Sequence, residues 1–448
     1  MKRFLIGGTH SGCGKTTVTC GVLAALKKRG LTVSSFKCGS DYIDPMFHER
    51  IVGAHAYNLD SFFCGDDTLK FLLYDRSISS DVSVIEGVMG FYDGYNGRGS
   101  AYSVSEVTET PAAIVVDCKG MSDSIGAVVK GFLNYREPNR IAGFIFNRLP
   151  ERLVGLAKEI CAALDTEFLG YLPPNDFVIE SRHLGLLTPN EIGGLKEKIE
   201  GLGALAERCI SLDRLLAISE RPFPDFRAPT LKKLPAAKPP VIAVARDEAF
   251  CFLYSENLAL LEKTGCEICF FSPLTDRRIP DNACGLILCG GYPELYARRL
   301  AENVPLRREL YRKIRAGLPT IAECGGFIYL HKSFEDEDGT AREGVGIIDG
   351  KAFKTPKLQR FGYIELTAEA DNLLSGRGEK FPAHEFHYWD SEKNGDGFIA
   401  RKNDGRRWRC VHAGESLYAG FPHLYFYAAP RIAERFVQKC IEYGGTNG

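Results

Sequence analysis

The stretch Gly8-Thr-His-Ser-Gly-Cys-Gly-Lys-Thr-Thr17 constrains the fold more than any other part of the chain. The apolar run Phe4-Leu5-Ile6 precedes it, and Val18–Arg29 follows with a helical pattern. A strand, a glycine-rich turn and a helix opening on Lys-Thr make the context of a phosphate-binding P-loop. Glycines 12 and 14 let main-chain N–H groups converge on phosphate oxygens that side chains would block. The helix start adds unpaired donors and the positive end of its dipole. The expected cradle is Gly12, Cys13, Gly14, Lys15, Thr16 and Thr17. Lys15 reaches the terminal phosphates and the Thr16 hydroxyl ligates Mg²⁺. Five residues, one more than usual, separate Gly8 from Gly14-Lys15.

The rest of the first half alternates strand and helix signals. Strands are expected at 3–7, 32–36, 81–85, 112–116, 140–146 and 167–171, with helical segments at 17–28, 122–133 and 151–163 between them. Runs such as Ala112-Ala-Ile-Val-Val116 are apolar without alternation, as suits a parallel sheet covered on both faces. The expectation is a doubly wound α/β domain with ligands at the carboxyl ends of its strands. Asp41, Asp44, Glu86, Asp117 and Asn147 all follow or end strands at that edge. Asp41 and Glu86 are the carboxylates expected beside Thr16 for Mg²⁺. Asp44, before Pro45, either shapes a turn or faces an acceptor substrate. Asn147 is a candidate adenine contact or a turn residue, and Asp117 reads as structural.

Residues 221–240 carry six prolines and three lysines and read as a semi-extended linker. The division expected is therefore 1–220, a linker at 221–240, and 241–448. Strand signals resume at 241–245, 267–271, 285–289 and 319–323, with a helical pattern at 252–264 and a β-rich stretch from about 343 to 425. Pro319-Thr-Ile-Ala-Glu-Cys324-Gly-Gly-Phe327 reads as strand, sharp turn and helix, with a thiol exposed at the turn. This is a nucleophile-elbow layout in which the helix start favours the thiolate. Ala322 stands where the strict elbow has glycine. A second glycine turn offers the amides of Gly290 and Gly291 as an oxyanion hole. The base should be a histidine, for which His384, His387, His412 and His423 compete.

Cys266 and Cys269 have metal-type spacing, but they lie in a strand read as buried, and no second pair accompanies them. The fifteen cysteines are scattered, as expected of reduced thiols in a cytoplasm. The apolar run after Met1-Lys-Arg is too short for a leader, and no stretch approaches a membrane span. The net charge of −1 gives no general affinity for nucleic acid. No membrane partner is expected, and a homodimer is allowed.

With both sites in view, the chain resembles the cobyrinate/cobyrate glutamine-amidotransferase family nearly end to end. The resemblance rests on Ser11–Val18, Asp41-Tyr-Ile-Asp44, Asn58-Leu-Asp-Ser-Phe62, Glu86–Gly94, Arg182-His-Leu-Gly-Leu186, Asp247-Glu-Ala-Phe250, Gly290–Ala297, Ala322-Glu-Cys-Gly-Gly326, Phe361-Gly-Tyr363 and His384-Glu-Phe-His-Tyr388. The extra P-loop residue is shared with this family. The resemblance implies a P-loop synthetase domain followed by a class I glutamine-amidotransferase-like domain. It implies ATP and Mg²⁺ at Lys15, Thr16, Asp41 and Glu86, and Cys324 as glutaminase nucleophile. It selects His423, in Gly420-Phe-Pro-His423-Leu-Tyr-Phe426, as the assisting histidine. Tyr425 replaces a second histidine there, and Ser40 replaces a proline before Asp41. The implied reaction is ATP- and L-glutamine-dependent amidation of the a and c acetates of cobyrinate through acyl phosphates, in cobalamin biosynthesis. Hydrogenobyrinate or nickel-sirohydrochlorin are alternative acceptors.

Overall fold

Apolar runs without alternation become the middle of parallel sheets, because both of their faces must be covered. The computed structural model describes residues 1–95, 97–175 and 189–447. It divides into two units, Met1–Pro229 and Thr230–Gly448. The Arg182–Leu186 motif lies outside the described residues.

Among the described residues the first unit holds seven strands: β1 (Lys2–Gly8), β2 (Val33–Cys38), β3 (His55–Leu59), β4 (Val82–Glu86), β5 (Ala112–Asp117), β6 (Ile141–Asn147) and β7 (Glu167–Leu172). Their order is β3-β2-β4-β1-β5-β6-β7, with every pairing parallel. β1 is central, and its Phe4, Leu5 and Ile6 are fully buried. The P-loop leaves its carboxyl end and runs into α1 (Lys15–Lys28). β3 is absent from the expected strands. It is an edge strand, exposed at His55 and buried only at Asn58 and Leu59, so its sequence carries little apolar signal.

A long helix, Pro189–Cys209, covers α1 and was not anticipated. The two helices approach through small residues. A Cβ at Gly203 would stand 2.8 Å from that of Ala24, and one at Gly21 would stand 3.2 Å from that of Ala206. The proline-rich stretch is not free at its start. The buried Arg3 guanidinium donates to the carbonyls of Arg221 (3.2 Å) and Pro222 (2.9 Å) and lies 4.8 Å from the Phe223 ring.

The second unit has a six-stranded sheet in the order Glu267–Phe271, Val241–Ala245, Ala283–Leu288, Thr320–Glu323, Leu417–Gly420, His412–Ala413. Only the last strand is antiparallel. Glu267–Phe271 was read as buried but is an edge strand, exposed at Glu267 and Phe270, because no further strand pairs with its outer side among the described residues. The helical pattern expected over 252–264 starts later, at Ser255, because Phe252 ends a short strand, Phe250–Phe252, that pairs with Gly290–Gly291. The β-rich stretch is dominated by Ile348–Ala368 paired antiparallel with Lys380–Ser391. No described helix is long and apolar enough to cross a membrane.

Two glycines of Pro189–Cys209 separate packing from propensity. Gly194 is exposed with open space at its Cβ position, so Gly194→Ala should stabilise by about 0.5–1 kcal/mol. Gly203→Val forces the two helices apart and should destabilise by about 1–3 kcal/mol. Thermal unfolding of the two variants should move in opposite directions. Equal shifts would contradict the close helix approach.

Candidate active sites at two strand edges

The first site is assembled by strand register. Lys37 and Glu86 are direct partners across β2 and β4, and Ile6 pairs with Glu86 on the other side. Glu86 therefore ends its strand beside the P-loop, where its Oε1 accepts a hydrogen bond from Thr16 Oγ1 at 2.6 Å. Gly14 caps α1 with φ 97°, and the Asn147 amide nitrogen stands 2.0 Å from where a Cβ would be. No other residue fits there. The same nitrogen donates to the Cys13 carbonyl at 2.9 Å, so Asn147 fastens the loop. Gly12, at φ 81°, has open space at its Cβ position. The Cys13 side chain is fully buried, leaving only its main chain to meet a ligand. Thr17 lies half-buried in the first turn of α1. Lys15 bends back to the His10 carbonyl at 3.1 Å, and burial pulls its pKa down.

Lys37 is a site residue that motif reading passed over. Its ammonium sits 2.5 Å from Asp44 Oδ2 and 2.8 Å from Glu86 Oε1, and all three side chains are buried. His48 completes the cluster, with Nε2 3.1 Å from Glu86 Oε2 and Nδ1 2.8 Å from Ser35 Oγ. Burial alone would raise the Glu86 pKa, but Lys37 and His48 hold it far below the ordinary carboxylate range. Burial pushes Asp44 up to about 7 despite Lys37. One ammonium serves two carboxylates, and Asp44 is the one that takes up a proton first. A lysine inside Val33-Ser-Ser-Phe-Lys-Cys38 was the available signal, because a buried ammonium requires a carboxylate partner.

Asp41 bonds locally. Its Oδ1 accepts the amides of Ile43 (2.8 Å) and Asp44 (3.3 Å), closing a turn. The oxygens offered for a divalent cation are those of Thr16 and Glu86, and such hard donors fit Mg²⁺. Asp117 is bound by Arg148, with Nε 2.8 Å from Oδ1, and serves structure.

The second site centres on Cys324, held at φ 45° between the strand Thr320–Glu323 and the helix Gly325–Leu330. A non-glycine residue in this region is strained and persists only when its surroundings enforce it. Here the Cys324 amide donates to the Gly420 carbonyl at 2.8 Å, and the Gly326 amide donates to the Cys289 carbonyl at 2.9 Å. A Cβ at Gly326 would lie 2.0 Å from the Leu288 carbonyl oxygen. The glycine pair thus lets the elbow pack on the neighbouring strand end. Gly290 and Gly291 lie against it, the Gly291 nitrogen standing 3.0 Å from where a Gly325 Cβ would be.

The competing histidines separate by position. His423 Cε1 lies 2.6 Å from a Cβ position at Gly290, and His423 Nδ1 lies 3.6 Å from Glu323 Oε2. His423 therefore shares its neighbours with the thiol. His387 stacks on Phe421, its ring 3.8 Å away, and its Nδ1 contacts the Trp389 carbonyl. His412 Nε2 contacts the Lys393 carbonyl at 2.8 Å. His384 pairs with His423 in the strand register, and burial pulls its pKa down to about 3.

One expectation is corrected. The helix start was expected to favour the thiolate, but Cys324 is only 6% exposed. Burial, then Glu294, push its pKa well above the ordinary thiol value, and the Gly325 amide opposes this only in part. The helix is six residues long, too short to outweigh desolvation. Packing thus favours the neutral thiol at Cys324. Iodoacetamide labelling of Cys324, followed by peptide mass spectrometry, should therefore accelerate about tenfold per pH unit through pH ~9. A plateau below neutral pH would show a preformed thiolate.

Comparison with known proteins completes the picture. Residues 4–187 match the CobQ/CobB/MinD/ParA nucleotide binding domain, and residues 241–430 match the CobB/CobQ-like glutamine amidotransferase domain. The chain is 38% identical to the cobyrinate a,c-diamide synthase of Caldanaerobacter subterraneus subsp. tengcongensis, over 98% of this chain and 99% of the relative. It is 39% identical to that of Thermoplasma volcanium, over 99% and 98%, and 37% identical to that of Priestia megaterium, over 98% and 97%. The α/β fold, a P-loop parallel-sheet domain followed by a glutamine-amidotransferase domain, is the one the sequence implied. The chain belongs to the cobyrinate a,c-diamide synthase family of glutamine-dependent amidotransferase ligases.

Proposed function

We propose that the chain amidates the a and c acetate carboxylates of cobyrinate in cobalamin biosynthesis, using ATP and L-glutamine. The observation that carries this reading is the pairing, in one chain, of a P-loop edge furnished with two buried ammonium groups and an elbow thiol whose neighbours Glu323 and Gly290 also lie against His423. We assign the synthetase chemistry to residues 1–220, the glutamine chemistry to 241–448, and a linking role to 221–240.

At the second site, His423 removes the Cys324 proton, and the sulfur attacks the side-chain carbonyl of glutamine. The amides of Gly290 and Gly291 face the oxyanion. Collapse of the tetrahedral adduct releases ammonia as His423 returns the proton, and water then hydrolyses the thioester to glutamate.

At the first site, an acceptor carboxylate oxygen attacks the γ-phosphorus of ATP, and ADP leaves. Lys15 and Lys37 stabilise the charge on the phosphoryl and carboxylate oxygens. Gly12, Cys13, Gly14 and Thr17 supply main-chain donors, and Asn147 holds the loop in shape. Mg²⁺, when bound by Thr16 and Glu86 with Asp41 nearby, neutralises phosphate charge. Asp44 lies beside Lys37 toward the acceptor. Ammonia then attacks the acyl phosphate, phosphate leaves, and the amide remains.

Mass spectrometry of cobyrinate incubated with protein, ATP, Mg²⁺ and glutamine tests this directly. Each amidation replaces –OH by –NH₂ and lowers the mass by about one unit. Cys324→Ser should abolish glutamine use yet keep ammonia-driven synthesis. Lys15→Ala should lower synthesis from either nitrogen source by roughly 100-fold or more. Turnover of hydrogenobyrinate or nickel-sirohydrochlorin in place of cobyrinate would reassign the acceptor, and failure of all three would overturn the reading.

A further inference from the structure

We propose that Glu323, the residue before the thiol, is the positioning residue that fixes the tautomer of His423. The inference rests on the glutaminase reading of Cys324 and His423 and deepens it.

The local geometry gives Glu323 two tasks. It ends the strand Thr320–Glu323 and pairs in register with Gly420, three residues before His423. Its side chain turns into the site and is 7% exposed, while His423 is 2% exposed. Oε1 accepts the Leu424 amide at 3.1 Å, which anchors the main chain next to His423. Oε2 lies 3.6 Å from His423 Nδ1. That is ion-pair distance, and contacts of this kind tighten once substrate fills a site.

The chemistry follows from the two ring nitrogens. Only one tautomer of a neutral imidazole can take a proton at Nε2, the one with hydrogen on Nδ1. A carboxylate facing Nδ1 selects it, and stabilises the imidazolium formed when the ring accepts the thiol proton. The demand is high here, because burial keeps Cys324 a neutral thiol. His384, the strand partner of His423, cannot supply this charge, since burial pulls its pKa down to about 3. The fold itself couples the parts. A single strand end carries both the nucleophile and the group that orients its base, so shifting the elbow would move both together.

The variant Glu323→Gln separates orientation from anchoring. Its carboxamide oxygen can still accept the Leu424 amide, but its –NH₂ then faces Nδ1 and favours hydrogen on Nε2. We expect kcat with glutamine to fall about 100-fold or more. The KM for glutamine, ammonia-driven amidation and thermal unfolding should stay near parent values. Nitrogen NMR of protein labelled in histidine, assigned by comparison with His423→Asn, should show hydrogen on Nδ1 in the parent and on Nε2 in the variant. The parent spectrum decides the matter even if the variant misfolds, since hydrogen on Nε2 of His423 in the parent would overturn the proposal. So would an unchanged kcat in Glu323→Gln, or parallel loss of both activities with a lowered unfolding temperature. Retention of glutamine use by Cys324→Ser would instead refute the underlying reading. Loss in Cys324→Ser with none in Glu323→Gln would refute the positioning role alone.

Discussion

Clearance at the ends of parallel strands governs this molecule. A central strand that turns straight into a helix leaves main-chain donors unpaired at the carboxyl edge of its sheet. Those donors become useful only if the turn is tight enough to point them at a ligand. In the first unit the limiting approach is Gly14 against the Asn147 amide, with 2.0 Å left at the missing Cβ. In the second it is Gly326 against the Leu288 carbonyl, again with 2.0 Å. Two unrelated chemistries thus rest on the same steric condition.

The condition places charge as well as backbone. Because β2 and β4 end level with the P-loop, Lys37, Glu86 and Asp44 meet in a buried cluster below it. Burying an ammonium is costly unless carboxylates surround it, and here the cost is met by two. The cluster favours ionised Glu86, while Asp44, raised to about 7, sits near the point of proton exchange. At the second edge burial acts in the opposite sense. It favours the protonated thiol, the form from which the proposed transfer to His423 starts.

What the sequence disclosed follows from how local each signal is. The P-loop and the elbow are runs of adjacent residues whose identity alone states the backbone they need, so both were legible. The central strands declared themselves by unbroken apolar runs such as Phe4-Leu5-Ile6, which end up fully buried. The edge strand His55–Leu59 did not, since one side of an edge strand meets solvent and needs no apolar residue. Exposure of Glu267 and Phe270 reverses the burial assigned to that strand for the same reason. Lys37, His48 and Glu323 were not read as site residues because their partners lie far away in sequence: Glu86 for the first two, His423 for the third. Asp41 was expected beside the cation from its position, and what packing adds is that its Oδ1 also closes the turn it sits in. The thiolate expected at Cys324 was reasoned from the helix start, without the desolvation that only packing reveals.

The central claim is that one nitrogen and one oxygen change hands across two sites of a single chain. Its most direct measurement uses glutamine carrying heavy nitrogen in the side-chain amide and cobyrinate carrying heavy oxygen in its carboxylates, with ATP in ordinary water. Each new amide should contain the heavy nitrogen, and each phosphate released should contain one heavy oxygen from the acceptor. Phosphate free of heavy oxygen would contradict the acyl phosphate, and amides free of heavy nitrogen would contradict delivery from the thiol site.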